Sequence, residues 1–116
     1  MDIKPVNAIC FEENGKKYCL EYDRDAVLRM EGAGFKPGES GEKPLMELNM
    51  LWAGAFYKNH RNVSSSLIEK LLNSRTNKRK LLEKLRDMFS ETYNSIFNDD
   101  VEGEDDEGNA NWTATL

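Results

Sequence analysis

Ile9-Cys10-Phe11-Glu12-Glu13-Asn14-Gly15-Lys16-Lys17-Tyr18-Cys19-Leu20-Glu21-Tyr22 is the stretch that decides how this chain is read. Asn14-Gly15 signals a two-residue turn, because both residues accept the positive φ that a type I′ turn demands. The turn sets the register: Glu13 faces Lys16, Phe11 faces Tyr18 and Ile9 faces Leu20. One face of the hairpin then carries Ile9, Phe11, Tyr18, Leu20 and Tyr22. An isolated hairpin is marginal in water, so that face needs cover from the rest of the chain or from a partner. The same register sets Cys10 opposite Cys19 at a non-hydrogen-bonded pair, where Cα atoms approach to about 4.5 Å and a cross-strand disulfide is geometrically open. The competing expectation is two reduced thiols packed side by side, the ordinary state of cysteines in a reducing compartment.

Beyond the hairpin the apolar period turns helical. Asp23 is placed to cap a short helix over residues 24–31, with Asp25 in its first turn, Gly32 and Gly34 to stop it and Phe35 to fold back on its last turn. Residues 36–44 hold two prolines and two glycines and read as a loop. Residues 45–60 form the most apolar segment, a central helix covered on most sides, with a narrow polar stripe through Glu47, Gly54 and Lys58. Met46, Met50 and Tyr57 lie along its flank, where they would face a partner or a second copy of the chain. Ser66 with Glu69 matches a capping box that opens a short helix fading near Asn73. Thr76 or Asn77 starts the longest helix, on which Leu81, Leu82, Leu85, Met88, Phe89, Tyr93, Ile96 and Phe97 recur at helical spacing. The fold class expected is α+β, mostly α: a hairpin over 9–22 packed on a bundle of about four helices, in one domain spanning 1–98.

The 116 residues, 39% hydrophobic and 32% charged, suit a single small domain. The net charge of -5 is unevenly spread, since residues 99–108 hold seven acidic side chains and no basic one. Residues 99–116 bury too little apolar surface to offset their ordering entropy and are expected to be a disordered acidic tail. No run approaches the roughly 20 apolar residues that a bilayer requires, and Met-Asp-Ile-Lys-Pro lacks the features of a signal peptide, so a cytoplasmic location is expected.

One histidine and two cysteines leave too few ligands for a Cys/His zinc site and exclude schemes that need two histidines. His60 sits in Lys58-Asn59-His60-Arg61-Asn62 at an expected helix end, where the dipole favours an imidazolium and capping accounts for it. No serine stands in a nucleophile-elbow context and no glycine-rich run opens a helix to cradle phosphate. Neither enzyme activity, metal nor cofactor is expected. Two binding alternatives remain. Arg75, Lys78, Arg79, Lys80, Lys84 and Arg86 cluster with only Glu83 among them, which suits phosphate contacts of a nucleic-acid-binding regulator. Against it, Arg79 can pair with Glu83 and Lys84 with Asp87, and no aromatic interleaves to stack on bases. The acidic tail, ending in Trp112 and Leu116, suits a short linear motif of a generic adaptor, or a plain solubilising appendage.

The order of elements also carries a resemblance. The hairpin on Asn14-Gly15-Lys16-Lys17-Tyr18, then Tyr22-Asp23-Arg24-Asp25-Ala26-Val27-Leu28-Arg29-Met30-Glu31 running into Gly34-Phe35, resembles the opening of the tail assembly chaperones of long-tailed, siphovirus-type bacteriophages. Leu51-Trp52-Ala53-Gly54-Ala55-Phe56 leading to Lys58-Asn59-His60, then the serine-capped helix and the long helix through Tyr93, is similar to the same family. The resemblance covers residues 9–97. It implies a small, mostly helical chaperone of the host cytoplasm, absent from the mature virion, that binds the tape measure protein and helps recruit tail tube subunits. Many members also occur in a longer, frameshifted form. No binding residue is carried over from that family. The partner-binding candidates come from the apolar excess of this chain: Met46, Met50, Trp52, Phe56 and Tyr57 on the central helix, and Phe89, Tyr93 and Phe97 on the last, with core packing competing for at least half of them.

Overall fold

The computed structural model of the chain describes residues 8–36 and 43–104, with side chains up to residue 98. Two strands, β1 (Ile9–Glu13) and β2 (Lys16–Leu20), precede four helices: α1 (Arg24–Gly32), α2 (Pro44–Gly54), α3 (Ser65–Asn73) and α4 (Lys78–Glu104). The hairpin has the register that its turn dictates, Ile9↔Leu20, Phe11↔Tyr18 and Glu13↔Lys16, with Asn14 and Gly15 at φ of 54° and 78°. Its apolar face is covered from within the chain. Phe11 stacks on Trp52 at 5.7 Å between ring centroids, and Tyr18 meets Phe56 at 6.1 Å.

Cys10 and Cys19 are joined in a disulfide, their Cα atoms 4.1 Å apart, where reduced thiols were the competing expectation. That expectation drew on compartment alone, whereas the non-hydrogen-bonded pair already brings the two side chains together. Closing so short a loop removes about 2–3 kcal/mol of chain entropy from the unfolded state.

α1 begins and ends on local chemistry. The Asp23 carboxylate accepts the Ala26 N–H at 2.8 Å. At the other end Gly34 takes φ 101°, so that the Phe35 N–H reaches the Met30 carbonyl at 2.9 Å and the Gly34 N–H the Glu31 carbonyl at 3.0 Å. This pair of bonds satisfies two of the helix's last carbonyls and folds Phe35 into the core.

α2 is the hub, packing against α1, α3 and α4. It is shorter than the apolar run implies, ending at Gly54 where a helix to residue 60 was expected. Ala55 to His60 continue as turns, drawn toward β2 by the Glu21 N–H, which donates to the Ala55 carbonyl at 3.1 Å. The break is hidden in the sequence because Ala55 and Phe56, beyond it, are as buried as the helix before it. Nor is Glu47 part of a wet stripe; it is 8% exposed.

At Gly54 α2 lies directly against the Met30 side chain of α1. A Cβ there would meet the Met30 side chain, with Cγ only 2.7 Å away and Sδ nearer still. Alanine improves helix propensity, yet Gly54→Ala is expected to lower stability by about 1–3 kcal/mol, because buried Met30 must be displaced. Urea denaturation checks it. In Met30→Ala the same substitution should cost measurably less, since Cγ, Sδ and Cε are all gone.

α3 is capped by Ser64, whose Oγ accepts the Leu67 N–H at 3.2 Å, and Ser66 lies exposed in the first turn rather than at the cap. A capping pattern reads equally well from either serine until tertiary packing chooses. Asn77, with φ 51°, opens α4 through its Oδ1, which accepts the Lys80 N–H at 3.2 Å. α4 runs to Glu104, past residue 98. Residues 105–116 of the expected tail lie outside the described residues.

Candidate partner-binding surface

The eight apolar candidates divide by burial. Trp52, Phe56 and Phe89 are core residues at 1%, 1% and 4% exposure. Trp52 is held further by its indole N–H, which donates to the Ile68 carbonyl at 2.9 Å. Met50, Tyr57 and Tyr93 are half-buried, while Met46 and Phe97 are exposed. Leu45 and Leu28, which the sequence reading passed over, are exposed as well.

The aromatic residues of α4 form a ladder that leads out of the core. Phe89 packs edge-on against Phe35 and Tyr22, stacks on Tyr93 at 5.7 Å, and Tyr93 meets Phe97 at 5.1 Å. A 27-residue helix is about 40 Å long. Among the described residues its buried side chains, Leu82, Leu85, Met88 and Phe89, lie in the first half, Tyr93 and Ile96 beyond them are packed against the core but only half-buried, and Phe97 is exposed.

Polar contacts pin the elements that frame this surface. The Glu47 carboxylate takes a two-pronged contact from Arg86, Nε at 2.9 Å and Nη2 at 2.7 Å, tying α2 to α4. That contact raises the Arg86 pKa further above its ordinary value. Glu13 pairs with Arg75, whose guanidinium lies 4.3 Å from the Phe11 ring centroid, and accepts the Ser74 hydroxyl at 3.1 Å. Tyr22 donates its hydroxyl to the Leu51 carbonyl at 2.5 Å, and burial pushes its phenol well above the usual range.

Residues 58–60 form a latch on the outer edge of β2 that sequence reasoning missed. Cys19 sits at a non-hydrogen-bonded pair, so its N–H and carbonyl point away from β1. His60 Nε2 accepts the Cys19 N–H at 2.9 Å, and Asn59 Nδ2 donates to the Cys19 carbonyl at 3.0 Å. The helix end expected at His60 is absent: the residue lies past the turns that follow α2 and accepts through its ring nitrogen. The only hint in sequence is a polar triplet directly after an apolar run.

Lys58 completes the latch, Nζ reaching Glu21 Oε1 at 2.8 Å. The Lys58 hydrogen bond, helped by one from Asn59, holds the Glu21 carboxyl below its ordinary value against the opposing effect of burial. A folded-state pKa below the unfolded one stabilises the fold above the unfolded value of about 4.3, and that contribution is lost as pH falls through the folded value. Lys58→Met is therefore expected to flatten the acid limb of a melting-temperature profile, while changing stability little at neutral pH.

The basic cluster of 75–86 is partly committed. Arg75 and Arg86 are ion-paired and the Lys78 ammonium donates to the Arg75 carbonyl at 2.8 Å. A different pair of arginines borders a cleft of about 390 Å³ between α1, α2 and the start of α3. Arg29 and Arg61 both lie over the Tyr57 ring, 4.5 and 4.3 Å from its centroid. Among the described residues, no group of His, Cys, Asp or Glu is arranged to hold a metal ion, and no helix is long and apolar enough to cross a membrane.

Compared with known protein families, residues 5–116 match the domain of unknown function DUF5055. The chain belongs to that family. Searches of curated proteins and of solved structures found no match to set beside the DUF5055 fold.

Proposed function

We propose that this chain is a phage tail assembly chaperone, acting in the cytoplasm of the infected host, that covers apolar stripes of the tape measure protein until tail tube subunits replace it. The observation that carries the reading is the ladder Phe89–Tyr93–Phe97 on α4, which starts in the core and ends on an exposed ring. Residues at i, i+4 and i+8 share one helix face, and such a face is the natural complement of another amphipathic helix. Met46 and Leu45 on α2 add further exposed apolar surface. Many copies along one long helix would hold it through modest single contacts and still release it on displacement. The commitment of Arg75 and Arg86 to internal ion pairs weakens the nucleic-acid alternative.

The test co-expresses the chain with the tape measure protein of the phage whose genome carries it. Co-purification of a soluble complex is expected. Tyr93→Asp/Phe97→Asp should reduce capture at least about tenfold, a loss of about 1.4 kcal/mol, while melting stays close to wild type. A tape measure protein that is never captured overturns the function, and undiminished capture by the double variant overturns the surface.

A further inference from the structure

The cleft between α1, α2 and α3 is a second place where this fold is equipped to bind. Its floor is apolar, with Met30, Met50, Ala53 and Ile68, and its rim carries Arg29 and Arg61. Both guanidinium groups stack on one half-buried ring, Tyr57, which fixes two like charges side by side. Among the described residues neither arginine has a carboxylate within ion-pair distance, whereas Arg75 and Arg86 are each paired. Among the described residues Asp25, one turn before Arg29 on α1, is not ion-paired with it. A cleft so built suits a ligand with an acidic group for the guanidinium rim and a large apolar group for the floor.

The chain contains such a ligand. Residues 105–116 read Asp-Asp-Glu-Gly-Asn-Ala-Asn-Trp-Thr-Ala-Thr-Leu, with three acids followed by Trp112 and Leu116. We infer that the Arg29–Tyr57–Arg61 cleft is a receptor for the chain's own acidic segment 105–116, with Asp105, Asp106 and Glu107 against the guanidinium groups and Trp112 over Met30 and Met50. Charge complementarity selects the rim contacts, and the thioether floor is a favourable seat for an indole. The acids lie one to three residues past Glu104, the end of α4, and so reach at most about 10 Å from it, while Trp112 reaches at most about 28 Å. The segment docks on the cleft, of its own or a neighbouring copy, that comes within that distance of the end of α4. Docking would mask the cleft and pair the charge at its rim. This inference stands apart from tape measure binding, which uses the α4 ladder.

The test uses the full-length chain, ¹⁵N-labelled, which has two indole N–H signals, from Trp52 and Trp112. Trp112 and the amides around it are expected to show the slow tumbling of the folded domain at low salt. They should shift and become mobile in Arg29→Gln/Arg61→Gln, and likewise in wild type at about 1 M NaCl, where the Debye length falls to about 3 Å. The Trp52 signal reports whether the fold is intact. Arg79→Gln/Lys80→Gln, which removes the same charge elsewhere, should leave Trp112 docked. Dependence of docking on protein concentration assigns the donor to a neighbouring copy, independence assigns it to the same molecule, and either supports the assignment. A Trp112 equally mobile in wild type and in the cleft variant at low salt overturns it, as does equal release by the control variant. If the double variant fails to fold, the single variants Arg29→Gln and Arg61→Gln decide the matter, each expected to release Trp112 in part where Arg79→Gln does not.

Discussion

Trp52→Ala is expected to cost about 3–5 kcal/mol, the range for emptying a buried aromatic site. The indole is 1% exposed and joins three parts of the fold at once. It stacks on Phe11 of the hairpin, meets Phe56 edge-on at 5.5 Å and donates to the Ile68 carbonyl of α3. Domains of this size hold only about 5–15 kcal/mol in total, so the variant should lose its cooperative melting transition or melt well over 10 °C lower. Trp52→Phe retains most of the apolar volume, gives up the hydrogen bond, and should fall in between. A Trp52→Ala protein that melts like wild type would mean that the hairpin is not seated on α2.

Arg86→Ala is the second large effect, with an expected loss of about 2–3 kcal/mol. The Glu47 carboxylate is nearly buried and depends on Arg86 for both of its strong contacts. Removing one partner of a fully buried pair costs about 3–5 kcal/mol. The guanidinium side is 44% exposed, so water recovers part of that. The informative control is Glu47→Leu/Arg86→Met, which removes both charges and should regain most of the lost stability, because an apolar pair of similar volume needs no desolvation. Urea midpoints of the two single variants and the double variant measure the coupling directly. If the double variant is as damaged as Arg86→Ala, the packing of the Arg86 stem rather than the ion pair holds α2 to α4.

Much of the fold was legible because its signals are local. Asn14-Gly15 carries its own backbone preference, and the alternation on either side leaves one register that hides the apolar face. Asp23, Gly34 and Phe35 mark the ends of α1 within a single turn of chain. The errors came where a choice depends on distant residues. Both sides of the Gly54 break are buried, so an apolar count runs straight through it. Ser64 and Ser66 are equivalent caps until packing selects one. Glu47 looked like a surface acid because its partner lies on another helix.

The candidate surface shows the same division. Apolar excess on α2 and α4 was visible, but periodicity cannot say where a neighbour stops covering a stripe. Trp52, Phe56 and Phe89 therefore went inside, while Met46 and Phe97 stayed out. Arg29 and Arg61 left no signal at all, since only the turns after Gly54 bring both to Tyr57.

The latch over β2 decides how this protein can associate through its backbone. A two-stranded ribbon exposes two rows of amide groups, and either row can recruit a further strand. Here Glu21 and Cys19 are already engaged by Ala55, Asn59 and His60, so the outer row of β2 is covered from Cys19 onward. A strand adding on that side would first have to displace the residues that follow α2.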